Sequence, residues 1–407
     1  MKRVFVIMMS VVLLVLMCVS LAACNPPREE VLKVFLPGNY IDEEYIAENF
    51  PAWYKEQTGK NVTVEFITFE KVEDIQRDVE QGGADYDVLC PSDYMVEYLK
   101  SVNLLQKVDK NVIDISEAAL FKSQYVETCK SFDPTLEYAI PYMYGTLGIV
   151  YDYSKTGKHI TSWESLFGSE FAGKRSVKKS IHDAYAAACL YNERDTLMAL
   201  SGEAKKAKVQ EIFTDYTDAT VAQAKSALLS VKTGGAVWDA DTIKFKMAEN
   251  NTDVEVALMW SCDAGYVMND YEDDDGNECK GNRNLWYVVP EEGGNVYIDA
   301  FVISALAVNT EAANYFLKYV SLPEVAIVNS EWAGAISPVT IAYDTLYQKY
   351  INNEGGLFDD TPAGWKEMFI ETMFPSAETL NRCGVMKDFG DRKNYINNEI
   401  WASVIGG

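Results

Sequence analysis

The chain has 407 residues, of which 48% are apolar, 12% aromatic and 24% charged, a composition typical of a two-domain globular protein and not of a disordered or disulfide-stapled chain. The 61 acidic residues outnumber the 36 lysines and arginines, so the formal net charge is −25. A charge of this sign repels a phosphate backbone and argues against nucleic acid as a partner, whereas a cationic small molecule is compatible with it.

The amino-terminal segment has the pattern of a secretory signal. A short basic start precedes an apolar stretch, 4–23, which ends in Leu-Ala-Ala directly before Cys24. This ending resembles the lipobox of bacterial lipoproteins, in which the signal is removed and the cysteine carries lipid. We therefore predict a signal peptide at 1–23, a lipidated tether at 24–31 and a protein anchored on the extracytoplasmic face of the cell membrane. The alternative is a retained anchor helix, because the apolar stretch is about long enough to span a bilayer.

The first part of the mature chain alternates strands with helices. Its apolar patterns predict strands at 32–36, 62–67 and 86–89, with helices at 42–57 and 71–81 between them. This βαβαβ order favours a parallel sheet with helices on both faces. Ligands of such sheets bind at the carboxyl ends of the strands, so we expect site residues in the loops that follow them.

Two extended apolar segments are predicted to connect two lobes. The segment 138–151 contains Pro141 and Gly145, which argue against a helix, and the segment 296–308 is again apolar and extended. Between them we predict a helix after 164, an alanine-rich helix from about 182, two helices within 205–232, and strands at 254–259 and 285–289. The predicted lobes are 32–140 with 297–335, and 141–296 with 336–407.

Cysteines and histidines give no sign of a metal or redox site. No two cysteines after Cys24 have Cys-x-x-Cys spacing, and the two histidines, His159 and His182, form no ligand pattern. The acidic segment 271–277 resembles a calcium-binding loop but lacks its terminal glutamate. We therefore expect no metal and no cofactor, and the disulfide pairing stays open.

No catalytic motif marks the chain as an enzyme. It contains no Gly-x-Ser-x-Gly, no Gly-x-Gly-x-x-Gly after a strand, no phosphate-binding loop and no His-Glu-x-x-His. We therefore predict no catalytic residues. A carbohydrate-active hydrolase remains an alternative, because paired carboxylates need no fixed spacing and acids are abundant here.

Short segments that combine a polar group, usually an acid, with an aromatic residue lie at predicted strand ends. Aromatic faces attract ammonium groups, and carboxylates accept charge-assisted hydrogen bonds from them, so a cleft made of such segments suits an aliphatic polyamine. The segments are Asn39-Tyr40, Ser92-Asp93-Tyr94, His182-Asp183-Ala184-Tyr185, Trp260-Ser261-Cys262-Asp263 and Tyr297-Ile298-Asp299.

The chain resembles the spermidine/putrescine-binding proteins of bacterial ABC transporters over nearly the whole mature sequence. The segments that carry the resemblance, in the family's order and spacing, are 86–94 (YDVLCPSDY), 140–145 (IPYMYG), 161–167 (TSWESLF), 258–260 (LMW) and 290–299. The resemblance implies a two-lobed α/β fold of the type II periplasmic-binding-protein class, each lobe a mainly parallel sheet flanked by helices, with the ligand in the cleft between them. It also implies a monomer that delivers a polyamine to ABC permease and ATPase subunits.

The same resemblance implies a set of ligand-binding positions. Asp299 matches the family's most characteristic amine-binding acid, Trp260 matches a stacking tryptophan, and Asp263 matches a carboxylate of putrescine-selective members. The full set is Tyr40, Ser92, Tyr94, Asp183, Trp260, Asp263, Tyr297 and Asp299.

Three departures from the family pattern leave the exact ligand open. The family's amino-terminal tryptophan and acid are absent from 36–40, Ser180 stands where spermidine binders have an acid, and Ala335 stands where an aromatic residue is expected. With Asp263 present and these acids absent, we expect putrescine to bind at least as well as spermidine. The alternative is a binder of the same fold for another small organic ligand.

Overall fold

The computed structural model describes residues 27–69, 72–80, 85–117, 119–239, 242–272 and 277–405. The predicted signal peptide 1–23, Cys24 and most of the acidic segment 271–277 lie outside these ranges.

Strands occur along most of the described chain. They are β1 (Val31–Pro37), β2 (Thr63–Phe69), β3 (Val88–Leu89), β4 (Leu105–Gln106), β5 (Ala139–Asp152), β6 (Arg175–Lys178), β7 (Val237–Asp239), β8 (Val256–Trp260), β9 (Tyr271–Glu272), β10 (Glu278–Cys279), β11 (Leu285–Val288), β12 (Gly294–Ser304) and β13 (Cys383–Gly384).

Helices fill the connections and most of the carboxyl-terminal part. They are α1 (Glu43–Thr58), α2 (Val72–Glu80), α3 (Asp93–Ser101), α4 (Ser123–Cys129), α5 (Tyr153–Thr156), α6 (Glu164–Phe167), α7 (Ile181–Asn192), α8 (Arg194–Met198), α9 (Gly202–Ile212), α10 (Asp218–Thr233), α11 (Ile243–Ala248), α12 (Ser261–Met268), α13 (Thr310–Val320), α14 (Pro323–Ala333), α15 (Thr340–Ile351), α16 (Trp365–Met373), α17 (Ala377–Leu380) and α18 (Lys393–Ile396). A π-helical segment, Asn397–Ile405, follows α18.

The main sheet is continuous and has two halves. In the first half β1 pairs in parallel with β2 and β3, and in the second half β6 pairs in parallel with β7 and β8. The order is β2-β1-β3-β12-β5-β8-β6-β7, with β4 and β13 joined to β12 and β11 joined to β5. Each half is therefore a mainly parallel layer, as the alternation of elements predicts.

The two longest strands, β5 and β12, belong to both halves. They pair antiparallel from Asn295↔Leu147 to Val302↔Ala139, and every residue of β5 is buried. The first half joins the end of β12 through β3 and β4, whereas the second half joins the end of β5 through β8 and β11. The two extended segments predicted at 138–151 and 296–308 are this strand pair.

Helix α1 illustrates how local sequence sets the elements that flank the sheet. The Asp42 side chain accepts a hydrogen bond from the Tyr45 amide at its start, and Gly59, with φ 74°, ends it in the left-handed region. Its buried Phe50 packs edge-on against Phe316 of α13, with ring centroids 5.5 Å apart. These contacts pack one face of α1 against α13.

Part of the predicted tether is folded. Residues Arg28–Glu30 form a turn of 3₁₀ helix, and β1 begins at Val31. Arg28 donates hydrogen bonds to the Asp85 and Asp87 carboxylates at 2.7 and 2.9 Å. An arginine with two acid partners holds this turn on the first half of the sheet, a contact that the tether pattern does not reveal.

Two further features concern membrane spans and cysteine pairing. No helix within the described ranges has the length and apolar character needed to cross a bilayer. Five cysteines, Cys90, Cys129, Cys189, Cys262 and Cys383, form no disulfide.

Candidate functional site

Asp299 is the centre of a hydrogen-bonded group in the first half of the sheet. Its Oδ1 accepts a hydrogen bond from Ser92 Oγ at 2.6 Å, and its Oδ2 accepts one from Tyr40 Oη at 2.7 Å. Tyr40 follows β1 and Ser92 follows β3, so the two donors lie where parallel strands end. The expected juxtaposition of these three residues is therefore present.

A β-bulge positions this group. The pairing of β12 with β5 shifts between Asp299 and Ala300, so Tyr142 has no partner across the ladder. The Tyr142 hydroxyl donates to the Tyr40 carbonyl at 2.8 Å, and the two rings meet edge-on at 5.7 Å. Asn39, with φ 54°, turns the chain in front of Tyr40. Tyr142 thus supports the side chain that contacts Asp299.

The electrostatics of Asp299 favour a cation beside it. Burial raises the pKa of its carboxyl group, the hydrogen bonds from Ser92 and Tyr40 lower it, and the charge of Asp183 raises it again. The net effect is a raised pKa. When two carboxyl groups lie close together, the negative charge of one makes ionisation of the other less favourable. An ammonium group between them stabilises both ionised forms.

Asp183, in the second half, acts on this group through its charge. It lies in the first turn of α7, where its amide donates to the capping Ser180 hydroxyl at 3.4 Å. Burial raises the pKa of Asp183, whereas Lys178 and Trp260 lower it. Its Oδ2 is buried and has no hydrogen-bond partner among the described residues. A buried carboxylate oxygen without a partner can accept a hydrogen bond from a ligand.

Tyr94 takes part in an aromatic stack. Its ring lies parallel to the His182 ring at 3.8 Å, and the other face of His182 stacks on Phe389 at 4.0 Å. The His182 Nδ1 is 3.6 Å from Glu73 Oε1. Tyr94 and Glu73 belong to the first half, whereas His182 starts α7 in the second, so this stack joins the two halves beside the acids.

The Trp260 end of the site carries protein cations. The Lys178 ammonium lies 3.2 Å from the centroid of the Trp260 ring and 2.9 Å from Asp263 Oδ2. The Lys244 ammonium lies 2.7 Å from Asp263 Oδ1. Burial raises the pKa of Asp263, but the two lysines outweigh it and hold the pKa well below the ordinary range. Both oxygens of the acid expected to take a ligand amine therefore accept from lysines.

Tyr297 closes the middle of the site. Its hydroxyl donates to Cys262 Sγ at 3.0 Å, and its ring centroid is 6.3 Å from that of Trp260. Tyr297 lies opposite Gly145 in the strand pair, and a Cβ at position 145 would collide with the tyrosine hydroxyl. The predicted crossing segment needs glycine here because an aromatic side chain lies directly over it.

The described residues contain no group of three or more histidine, cysteine, aspartate or glutamate side chains able to hold a metal ion. The geometry instead combines buried carboxyl groups, hydroxyl groups and aromatic rings, the chemistry expected of a site for a small organic ligand.

A bacterial extracellular solute-binding protein model matches residues 52–355. The chain belongs to this family. Its match to the family model covers the strands of the main sheet except β1 and β13, and all predicted ligand-binding residues except Tyr40.

Relatives of this solute-binding protein include named polyamine binders. It is 23% identical over 351 residues to the spermidine/putrescine-binding periplasmic protein of Escherichia coli, a match that covers 85% of each chain. It is 25% identical over 297 residues to the putrescine-binding periplasmic protein PotF of the same organism, covering 70% of this chain and 73% of PotF.

A solved structure supports the same fold. The substrate-binding protein PotD of a spermidine/putrescine ABC transporter from Streptococcus pneumoniae superposes with a TM-score of 0.65 and 23% identity, covering 92% of this chain and 98% of PotD. The predicted two-lobed α/β fold of this solute-binding protein is confirmed.

The structure brings all eight predicted positions to the region where the two halves meet. Sequence reasoning missed several of their partners: Lys178, Lys244, Tyr142 and the stacking role of His182. A partial signal existed for Lys178, because it is the last residue of a strand and directly precedes the loop that leads to Asp183. The assignment of each position to a ligand stays a prediction.

Proposed function

We propose that this solute-binding protein captures a small aliphatic amine, the ligand class that includes the polyamines, outside the cytoplasm and delivers it to an ABC importer. The observation that carries the proposal is the Asp299 carboxylate, oriented by Ser92 and Tyr40 and acted on by the charge of the buried Asp183. An ammonium group between these acids would gain charge-assisted hydrogen bonds and remove their mutual repulsion. The names of the polyamine-binding relatives support the choice of ligand class.

Capture needs no catalytic step. In the proposed mechanism, lobe 1 (32–140 with 297–335) and lobe 2 (141–296 with 336–407) open and close about the shared strands β5 and β12. The ligand enters between Asp299 on one side and Asp183 on the other, and Tyr94, Trp260 and Tyr297 exclude water from its chain. The closed form is then the one that a permease would recognise.

The setting of the proposal is the outer face of the membrane. Lipid on Cys24 would anchor a monomer there, and permease and ATPase subunits would take the ligand onward. The Leu-Ala-Ala-Cys sequence supports the anchor, and the family match supports an extracellular role.

Isothermal titration of the purified protein tests the proposed function. The panel contains butylamine, putrescine, spermidine, glucose and maltose, so that amines are compared with the sugars that a carbohydrate-active protein would bind. We expect saturable binding of at least one amine and none of the sugars. Binding of a sugar with no response to any amine would overturn the proposal.

A further inference from the structure

We propose that Lys178 is a resident cation that fills one of the amine positions of the cleft, so that the protein selects a ligand with a single ammonium group. The inference rests on the proposed capture of an amine and narrows the class of amine. It concerns the group formed by Lys178, Lys244, Trp260 and Asp263, which we call the lysine end.

The lysine end has the features of an amine subsite that is already occupied. An aromatic face and a carboxylate are the two groups that recognise an alkylammonium ion. The Lys178 ammonium lies 3.2 Å from the centroid of the Trp260 ring and 2.9 Å from Asp263, so a protein cation occupies both. Lys244 adds a second ammonium on the other oxygen of Asp263, at 2.7 Å.

The sheet holds Lys178 in this position. Lys178 is the last residue of β6 and Trp260 the last residue of β8, and these strands run in parallel. Their carboxyl ends therefore lie side by side at one edge. Asp263 follows one turn later, in α12, which begins directly after β8. The contact comes from regular elements and not from a mobile loop.

Because the side chains of the lysine end are buried, separating Lys178 from Asp263 is energetically unfavourable. The exposed fractions of the side chains are 7% for Lys178, 12% for Asp263 and 14% for Lys244. A ligand ammonium could reach the Trp260 face only by moving a buried lysine away from a buried carboxylate, which leaves charges without their partners. Such a displacement would oppose binding of the second amine of a diamine.

The opposite end of the cleft is acidic. Asp299 receives hydrogen bonds from neutral hydroxyl groups, and the charged group that acts on it is another carboxyl, Asp183. One ammonium group therefore fits at the acid end, while a second ammonium on the same chain would approach Lys178. The cleft is asymmetric, and we infer a ligand that is cationic at one end and uncharged at the other.

Butylamine and putrescine provide the test, because they share a four-carbon chain and differ only in the second amine. Titration of each into the wild-type protein should give tighter binding of butylamine by about tenfold or more. Tighter binding of putrescine by the wild type would overturn the inference and leave the proposed function standing. Absence of binding by any amine would overturn both.

Two lysine variants add a second, independent readout. Lys178→Met should raise putrescine affinity by about tenfold or more, because it removes the ammonium charge beside Trp260 while Lys244 still neutralises Asp263, and it should change butylamine affinity less than putrescine affinity. Lys244→Met is the matched control: Lys178 stays over Trp260, so putrescine stays weak. Putrescine affinity that is unchanged or lower in a folded Lys178→Met protein would contradict the inference.

Discussion

Tyr40 and Asp299 lie 259 positions apart in the chain, yet the tyrosine hydroxyl donates a 2.7 Å hydrogen bond to the aspartate carboxylate. The contact forms because β1 and β12 belong to the same half of the sheet, with β3 between them. The hydrogen bond lowers the pKa of a carboxyl group that burial raises. It keeps a buried acid available for a cation.

This relationship predicts a pH dependence of amine binding. The ligand binds ionised carboxylates, and the pKa values of Asp299 and Asp183 are raised, so affinity should fall with acidification at a higher pH than for an exposed aspartate, whose pKa is about 4. Tyr40→Phe removes a hydrogen bond that lowers the pKa of Asp299, so its loss of affinity should begin at higher pH still. Dissociation constants measured between about pH 4 and pH 8 check both statements. Tyr45→Phe, on the partly exposed part of α1, serves as the control, and coincident profiles for Tyr40→Phe and the wild type would count against this account.

The strand crossing predicts a stability effect at Gly145. Gly145→Ala places a methyl group against the Tyr297 hydroxyl, so we expect a loss of about 1–3 kcal/mol in the free energy of unfolding. Gly38→Ala is the matched control, because a Cβ there meets no atom within 4 Å. Urea unfolding of both variants measures the difference. Equal stabilities would mean that Tyr297 does not rest on position 145.

The aromatic stack predicts a role for His182 in bringing the lobes together. His182→Ala removes ring contacts to Tyr94 on one side and Phe389 on the other, so amine affinity should fall by about three- to tenfold. His159→Ala is the control, since His159 packs on Tyr151, Tyr153 and Trp286 within the second half of the sheet. Titration calorimetry checks the affinities of both variants. A larger effect from His159→Ala than from His182→Ala would contradict the proposed closure.

The lipid anchor is testable in cells. Cys24→Ser removes the cysteine of the Leu-Ala-Ala-Cys ending, so the protein should leave the membrane fraction or accumulate uncleaved. Cys18→Ser changes a cysteine inside the apolar stretch and should leave the protein anchored. Fractionation with immunoblotting provides the measurement. A Cys24→Ser protein that stays membrane-bound and correctly cleaved would disprove lipidation at this residue.

Local patterns are enough to predict the path of the chain. The strand predicted at 62–67 is found as Thr63–Phe69, the helix at 42–57 as Glu43–Thr58, and the two extended segments as β5 and β12. These features depend on the periodicity of apolar residues and on glycine and proline, which act over a few neighbours. Ser92 follows β3, as the strand-end reasoning expects, but that reasoning is wrong for Asp299, which lies inside β12 at the bulge and not at its end.

The partners of Trp260 and Asp263 could not be predicted in this way. Lys178 and Lys244 are separated from Asp263 by 85 and 19 positions, and their contacts arise from the packing of β6, β8 and α11. A lysine in the sequence gives no sign of whether its side chain points to solvent or to a buried acid. The bulge at Tyr142 could not be predicted from local sequence either, because a one-residue shift in pairing depends on both strands together.

The most direct test of amine capture at the acid end is the titration of butylamine and putrescine into Asp299→Asn. Loss of the carboxylate charge should weaken binding of whichever amine the wild type binds by about 1.5–4 kcal/mol, because a charge-assisted contact in a closed site disappears. Asp85→Asn, which alters an acid paired with Arg28 and Lys33 on the same lobe, should bind as the wild type does. An Asp299→Asn protein that binds the amine with wild-type affinity would contradict the central claim.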